Sequence, residues 1–370
     1  MRIGVVTEDY YPHYGAVAEH VHGFAREARR LGHVVKIITG SVPGSPRPDE
    51  DRAEDVIRIG ASRALLRTGG VGRVTGGAWV GAALREVLAR ERFDVLHVHA
   101  PLTPVLPLLA LHHATIPVVG SFHAHAGPGL LFRLARRAQQ RYLDRLDASV
   151  AVSRACLAPL GARQPADVRI IPGGVDVERF SRGRRLGRLD DGKLNVLFAG
   201  RVERRNGLDL LIPAFHRAWK QIDARLVVLG DGPRLARCRA MVPSELAEDV
   251  VFAGRAGDDR PDWFAAADVF CAPAQGPSGG VTLLEAMAAG KPILASDVEG
   301  YRDVVTHGRE GELLSPDDPG AWARALVRLS REPVRAAAYG ERGRMAAQRH
   351  AWPSVAREVL GLYRSIGVRG

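Results

Sequence analysis

Residues 269–290 read VFCAPAQGPSGGVTLLEAMAAG: a short apolar run, a loop rich in glycine and proline, and an apolar segment with helical spacing. This stretch predicts a strand, a loop and a helix that begins at Val281. Free amides at a helix N-terminus attract anions, and glycines allow a phosphate to approach closely. Glu285 stands about one turn into the helix, where a carboxylate can accept the hydroxyl groups of a ribose. A plain loop–helix junction with a surface glutamate is the alternative interpretation.

The same succession of a short apolar run and a helical segment occurs through both halves of the chain, and no hairpin signal interrupts it. Such alternation predicts an α/β protein with two doubly wound, Rossmann-like domains that face each other across a cleft. We predict an N-terminal domain over residues 1–178 and a C-terminal domain over 179–352. The last helix, within residues 353–370, is expected to return to the first domain.

The chain has 370 residues, of which 46% are hydrophobic and 25% are charged, so it can bury sizeable cores and is not wholly disordered. Cys156, Cys238 and Cys271 are far apart, which excludes a disulfide framework and fits a reducing cytosol. No apolar stretch approaches the ~20 residues of a membrane span, and the first residues do not read as a signal peptide. We therefore expect a cytoplasmic protein.

The formal net charge of +11 is the unusual feature of the composition. Such a charge attracts nucleic acid, an anionic membrane surface or an acidic substrate. A generally arginine-rich composition explains the positive charge equally well. Nucleic acid is not expected, because no zinc finger, RRM-type motif or aromatic platform accompanies the charge.

A basic segment over residues 130–146 combines leucines with arginines, namely Arg133, Arg136, Arg137 and Arg141. A basic amphipathic helix of this kind can lie on anionic lipid. An ordinary half-buried helix with a solvated arginine face is the alternative.

Two further junctions between a strand and a glycine turn stand in the second half. Residues 198–207 read FAGRVERRNG, and a strand that ends in Gly200-Arg201 places the Arg201 guanidinium to grip a phosphate. A solvated basic loop is the alternative. The second junction contains Gly230, in LGDGP, but no complete GxGxxG fingerprint occurs in the chain.

Six histidines are concentrated in one part of the first half: His97, His99, His112, His113, His123 and His125. His97 and His99 alternate along a predicted strand, and His123 follows the end of the next one. An HxH pair can donate two metal ligands, but no carboxylate or cysteine stands at a clear ligand spacing. The sequence therefore predicts no metal site.

Taken together, these motifs resemble the GT4 glycosyltransferases of the GT-B fold over essentially the whole chain. The markers, in order, are Gly15, IPGGVD at 171–176, Gly200-Arg201, GDGP at 230–233, ADVF at 267–270 and LEAMAAG at 284–290. Residues 267–273 and 285–290 are most similar to the phosphatidylinositol mannosyltransferase branch.

The resemblance implies a retaining transfer of a sugar, such as mannose, from a GDP- or UDP-sugar to a lipid or glycan acceptor. The C-terminal domain would hold the donor and the N-terminal domain the acceptor. No metal or other cofactor is implied, because cationic side chains and helix dipoles stabilise the leaving diphosphate. A lipid acceptor would place the protein peripherally on the inner face of the plasma membrane.

The resemblance also assigns roles to residues. His123 would contact the transferring sugar and Arg201 the diphosphate, as the catalytic residues. Gly15 and Ala16 would line the loop on the acceptor side. The implied donor-binding residues are Arg201, Arg205, Asn206, Gly230, Ser278, Gly279, Gly280, Val281 and Glu285.

Three positions depart from the family pattern. Ala16 follows Gly15 where the family has a Gly-Gly pair. Pro277 stands where the family has a glutamate that contacts the donor sugar, and Asn206 stands where it has a lysine that neutralises the diphosphate. Arg204 or Arg205 can stand in for the lysine, whereas nothing obvious replaces the glutamate. The alternative function is therefore a catalytically weak or inactive homologue that binds a nucleotide sugar or a partner.

Overall fold

The computed structural model describes residues 1–13, 15–42, 55–67, 70–123, 136–165 and 167–369. Two compact units make up the chain. Unit 1 comprises Met1–Gly173 and Trp352–Gly370, and unit 2 comprises Gly174–Ala351. The division after Gly173 lies close to the predicted boundary at residues 178 and 179.

Unit 1 is built on an eight-stranded sheet in the order β4-β3-β2-β1-β5-β6-β7-β8. The strand order reverses between β1 and β5, and ligands of such sheets bind beyond the carboxyl ends of the strands at this point. The strands are β1 (Arg2–Val6), β2 (Val34–Ser41), β3 (Val56–Arg67), β4 (Gly70–Gly76), β5 (Val95–His99), β6 (Val118–Phe122), β7 (Ala148–Ala151) and β8 (Val168–Ile170).

Among its described residues, the first part of unit 1 contains the helices α1 (Ala16–Arg30), α2 (Val80–Glu91), α3 (Leu106–His113) and α4 (Arg136–Leu143). The C-terminal helix (Trp352–Ser365) completes the unit and packs on α1. Gly23 makes this contact close, because a Cβ there would lie 2.1 Å from Cε2 of Trp352. Phe24, Val359 and Tyr363 share one buried cluster beneath the two helices.

The expectation that the chain contains no hairpin is wrong in unit 1. Strands β3 and β4 pair antiparallel, from Ala61 opposite Gly76 to Arg67 opposite Gly70, while the other strands of the sheet pair in parallel. Glycine and arginine interrupt the apolar alternation of both strands, so the sequence carries little of the usual hairpin pattern.

Helix α3 was not predicted either, and its sequence contains Pro107. Pro107 lies in the first turn, where a helix tolerates proline because the missing N–H has no partner within the helix.

Unit 2 contains a six-stranded parallel sheet in the order β11-β10-β9-β12-β13-β14, which reverses between β9 and β12. The strands are β9 (Leu194–Ala199), β10 (Ala224–Leu229), β11 (Val250–Gly254), β12 (Val269–Ala272), β13 (Ile293–Ser296) and β14 (Gly311–Leu314). The helices are α5 (Val177–Ser181), α6 (Leu208–Trp219), α7 (Leu235–Ala240), α8 (Arg260–Ala266), α9 (Val281–Ala288), α10 (Pro319–Arg331) and α11 (Pro333–Ala347).

The sheet of unit 2 is buried on both faces by two apolar clusters. Along β9, Val196 and Phe198 belong to one cluster, whereas Leu197 and Ala199 belong to the other. Burial on both faces explains why these strands read as continuous apolar runs. Among the described residues, no helix combines the length and the hydropathy that are needed to cross a bilayer.

Candidate functional site

Three loops of unit 2 meet beyond the carboxyl ends of β9, β10 and β12, beside the reversal of the strand order. The backbone N–H of Gln275, after β12, donates to the carbonyl of Arg205, after β9, at 2.7 Å. A Cβ at Gly207 would lie 1.7 Å from the Pro273 carbonyl oxygen, and φ there is +71°. Only glycine allows this approach, which brings the predicted donor-binding loops together.

Gly230 joins the third loop to the same edge. It has φ of +153°, and a Cβ there would lie 1.9 Å from the carbonyl oxygen of Gly200. Backbone bonds between Val202 and Asp231 and between Arg234 and Val202 fasten the two loops further. The structure therefore places Gly230 beside the Gly200-Arg201 turn.

Glu203 pairs with two arginines at this edge. Its carboxylate lies 2.5 Å from Nε of Arg205 and 3.7 Å from Nε of Arg201, and its side chain is only 12% exposed. Both guanidinium groups are about half exposed and can therefore reach a bound anion. Sequence reasoning missed Glu203, although an acidic residue between two arginines was a readable signal.

Asn206 turns towards the protein backbone. Its Nδ2 donates to the carbonyl oxygen of Arg201 at 2.7 Å, which holds the turn that carries Arg201. The side chain thus supports the loop and brings no positive charge to the edge.

The glycine-rich loop runs from Pro273 to Gly280 and leads into α9. Pro277 is exposed, whereas Ser278 and Gly279 are half-buried and Gly280 is buried. Gly280 is the N-cap of α9, so the amides of Val281 and its neighbours stand at the helix start, as the sequence predicts.

Tyr301 lies behind this loop and was missed from the sequence. Burial raises the pKa of Tyr301, while a hydrogen bond with Ser278 and the positive charge of Arg205 act in the opposite direction. The phenol therefore stays protonated, and its hydrogen bond with Ser278 supports the loop after β12.

Glu285 lies on α9 and is held by Arg260 of α8. Nε of Arg260 donates to Oε1 at 2.9 Å and Nη2 donates to Oε2 at 2.6 Å. The glutamate side chain is 14% exposed, so the surface-glutamate interpretation does not describe it. Arg260 was not identified from the sequence, because nothing local connects it to Glu285.

In unit 1, Gly15 precedes α1 with an extended backbone, and its carbonyl accepts the N–H of Glu19 at 3.0 Å. Gly15 is exposed and Ala16 is the first residue of the helix. The small residues therefore stand at the N-terminus of α1, after β1, on the side of the sheet where ligands bind.

Histidines from three elements meet at this end of the unit 1 sheet. A hydrogen bond of 2.8 Å joins Nδ1 of His99, the last residue of β5, to Nε2 of His123, which follows β6. His20 of α1 lies against both rings, with centroids 5.6 Å and 4.9 Å away. Burial lowers the pKa of His20 to about 4 and holds that of His99 well below its ordinary value, so both are neutral at physiological pH.

His97 belongs to the core beside this group. Tyr363 and Ser121 contact its two ring nitrogens at 2.6 Å and 2.7 Å, and burial lowers its pKa to about 3. A histidine with both nitrogens engaged acts as a structural link between the sheet and the C-terminal helix. Sequence reasoning grouped His97, His99 and His123 but missed His20, which is remote along the chain.

The proposed membrane-facing arginines lie only partly within the described residues. Arg133 lies outside them, and of the predicted helix over residues 130–146 the structure shows α4. Arg136 and Arg137 begin that helix, and Arg141 is exposed with its guanidinium 5.2 Å from the ring centroid of Tyr142.

Family models match both parts of the chain. Residues 17–179 match Glycosyltransferase Family 4, and residues 193–332 match Glycosyl transferases group 1. The phosphatidyl-myo-inositol mannosyltransferase of Mycobacterium leprae is 32% identical, with 100% of this chain and 98% of that protein covered.

Solved structures share the fold at lower identity. Sucrose-phosphate synthase from Thermosynechococcus elongatus superposes with a TM-score of 0.79 at 20% identity, over 99% of this chain and 98% of the other. Anabaena HepE in complex with UDP gives 0.77 at 17% identity, over 99% of this chain and 100% of the other. Both likenesses concern the fold.

Proposed function

The chain belongs to the family 4 glycosyltransferases of the GT-B fold, and we propose that it transfers mannose, with retention of configuration, from a nucleotide sugar to a lipid acceptor. The family membership establishes a glycosyltransferase. The named activity of the mycobacterial relatives supports mannose as the sugar and an inositol phospholipid as the acceptor.

The observation that carries the proposal is the cationic edge of unit 2. Arg201 and Arg205 share the carboxylate of Glu203 and keep half-exposed guanidinium groups, and the backbone of Arg205 is bonded to the loop that leads into α9. A leaving nucleoside diphosphate develops negative charge, and preorganised cations and helix amides stabilise such charge. We assign the donor to unit 2 on this basis.

We take the remaining roles from the resemblance to the family. Glu285, oriented by Arg260, accepts the hydroxyl groups of the ribose. His123 contacts the transferring sugar, and Gly15 and Ala16 line the acceptor side. Since the two guanidinium groups supply positive charge, the transfer needs no metal cofactor.

A catalytically weak homologue is the second candidate, and Asn206 is the observation that favours it. The side-chain amide of Asn206 donates a hydrogen bond to the Arg201 carbonyl and carries no charge. The positive charge that the family has at this position is therefore absent. Losing one charged contact in a transition state reduces the rate by about two decades or more. Arg205 compensates in the active protein that we propose.

The proposal can be tested with a panel of GDP- and UDP-sugars. Hydrolysis of each sugar donor and transfer to phosphatidylinositol vesicles are measured. We expect turnover with GDP-mannose and a loss of about a hundredfold in Arg201→Ala. Arg237→Ala, which removes an exposed arginine of α7, serves as the control and should retain full activity. Nucleotide binding without turnover for every donor would establish the weak homologue instead.

The location follows from the acceptor. A lipid acceptor requires contact with a bilayer, and the net charge of +11 favours an anionic surface. We propose a cytoplasmic protein that associates peripherally with the inner face of the plasma membrane.

A further inference from the structure

His20, His99 and His123 converge from α1, β5 and the segment after β6. Each ring offers a nitrogen, and these three nitrogens all lie within 4.8 Å of one another. His99 and His123 are joined by the 2.8 Å hydrogen bond, and their rings are nearly coplanar, with an interplanar angle of 17°. We call these three residues the histidine triad.

One member of the histidine triad, His99, has a buried ring nitrogen that no hydrogen-bond partner satisfies among the described residues. This atom is Nε2, and the whole side chain is 1% exposed. His20 is 5% exposed, and its ring packs against the rings of His99, His123 and Trp352. Buried polar atoms are nearly always bonded, so an orphaned nitrogen here requires an explanation.

We propose that the histidine triad binds a divalent transition-metal ion, and we use Zn²⁺ as the example. Imidazole nitrogen suits zinc, copper, nickel and cobalt, whereas magnesium and calcium prefer oxygen. Tetrahedral zinc with Zn–N distances of about 2.0–2.1 Å places ligand nitrogens about 3.3 Å apart. Rotations that move ring nitrogens by about 1 Å therefore close the triad around an ion.

The surroundings of the triad fit a site with an open coordination position. Among the described residues, the ligand set is three histidines with no carboxylate or thiolate. The ion therefore keeps its two positive charges, and a fourth position is left for water or another ligand. His123 is half-buried and gives the ion a route to solvent, whereas His20 and His99 are buried. We expect moderate affinity, with a dissociation constant in the micromolar range.

Neighbouring rings hold the triad in place. The ring of His97 packs against that of His99 with a centroid distance of 4.4 Å, and His97 is itself fixed by Tyr363 and Ser121. The indole of Trp352 packs against His20 at 5.4 Å. Such support orients metal-binding histidines before the ion arrives.

Ion binding has a consequence that rests on the proposed function. A ligand nitrogen of His123 that holds a metal cannot serve the transferring sugar, and the hydrogen bond to His99 is lost as well. Zn²⁺ should therefore inhibit sugar transfer, whereas Mg²⁺ should not. The binding itself is independent of the proposed function and is measured without any donor.

The test is a titration of the full chain, prepared without a polyhistidine tag, with Co²⁺ followed by visible absorption and with Zn²⁺ followed by calorimetry. We expect one equivalent of each ion to bind. His20→Gln and His99→Gln should each weaken binding at least tenfold, since each removes a nitrogen ligand. His112→Gln, which changes an exposed histidine of α3 outside the triad, should bind like the wild type.

Saturable binding of one ion that both triad variants weaken supports the site. No saturable binding by the wild type overturns it, whether or not the variants fold. Equal affinity in wild type and in folded triad variants overturns it as well. For variants that fail to fold, thermal unfolding of the wild type decides: added Zn²⁺ should raise its midpoint, and an unchanged midpoint contradicts the proposal. If the protein transfers no sugar, the proposed function fails, but the result of the metal titration still stands.

Discussion

Arg260 holds both carboxylate oxygens of Glu285, through Nε at 2.9 Å and Nη2 at 2.6 Å. A carboxylate has about four lone-pair positions, and this pairing uses two of them. The other two can accept ribose hydroxyl groups. The guanidinium therefore orients Glu285 and leaves it able to bind a nucleotide.

We expect Glu285→Gln to weaken the binding of GDP or UDP about tenfold or more. An amide offers only one acceptor oxygen, and hydrogen bonds to charged groups are worth about 1.5–3 kcal/mol. Isothermal titration calorimetry with each nucleotide measures the change.

A matched control is available in the same unit. Glu312 of β14 is 4% exposed, and both of its oxygens are bonded to Arg328, as those of Glu285 are to Arg260. Glu312→Gln should lower the stability of unit 2 and leave nucleotide affinity unchanged. Wild-type affinity in Glu285→Gln would show that the ribose assignment is wrong.

The role of the basic segment over residues 130–146, which contains α4, can be tested by measuring attachment to membranes. Replacing Arg136 and Arg137 together by glutamine should reduce co-sedimentation with anionic vesicles about tenfold or more, since each basic residue near such a surface contributes about 1 kcal/mol. The effect should shrink as salt is added.

The same charge change on α2 provides the control. Arg85 and Arg90 are exposed there, and their joint replacement by glutamine should leave vesicle binding near the wild-type level. Equal losses of vesicle binding in the two double variants would show that net charge alone attracts the protein. No loss in either variant would show that α4 is an ordinary surface helix.

Gly23 controls the packing of the C-terminal helix. In Gly23→Ala the new methyl group would lie 2.1 Å and 2.4 Å from two ring atoms of Trp352, so the helices must separate. Overpacking of this kind costs about 1–3 kcal/mol, and we expect a thermal midpoint several degrees lower. Tryptophan fluorescence of the full chain during heating measures it.

Gly361 is the control on the C-terminal helix itself, because a Cβ there meets nothing within 4 Å. Gly361→Ala should leave the midpoint unchanged or raise it, since alanine favours helices by up to about 1 kcal/mol. A Gly23→Ala midpoint that matches the wild type would contradict the close packing.

Lys291 makes the stability of unit 2 depend on pH. Burial lowers its pKa from 10.5 to about 8, and its Nζ donates to the Ala265 carbonyl at 2.7 Å. Between pH 8 and 10.5 the unfolded chain therefore binds more protons than the folded protein, and stability rises with pH in that window.

Relative to Lys291→Met, the wild type should gain about 2 kcal/mol of unfolding free energy between about pH 7.5 and pH 9.5. Urea denaturation of both proteins at the two pH values measures this gain. Lys220→Met, in which an exposed lysine is replaced, should show no such difference. A constant difference between wild type and Lys291→Met would mean that Lys291 keeps its ordinary pKa.

The family and the GT-B fold were predictable from the sequence and are confirmed by the relatives. The strand, the loop and the helix that residues 269–290 predict are present, with β12 before the loop and α9 beginning at Val281 as predicted. These features depend on apolar periodicity and on glycines next to helix starts, which are local properties of the chain. The assigned site residues stay predictions.

What only the tertiary structure decided is which distant side chains meet. Arg260 reaches Glu285, Glu203 joins Arg201 to Arg205, and His20 completes a cluster with His99 and His123. The β3–β4 hairpin belongs here too, because its pairing is set by neighbouring strands more than by its own pattern. The sequence alone determined the family and elements such as β12 and α9, since short-range patterns specify both. Charge pairing, burial and the orphaned His99 nitrogen arise only when the sheet order brings separate segments together, and no local pattern encodes that order.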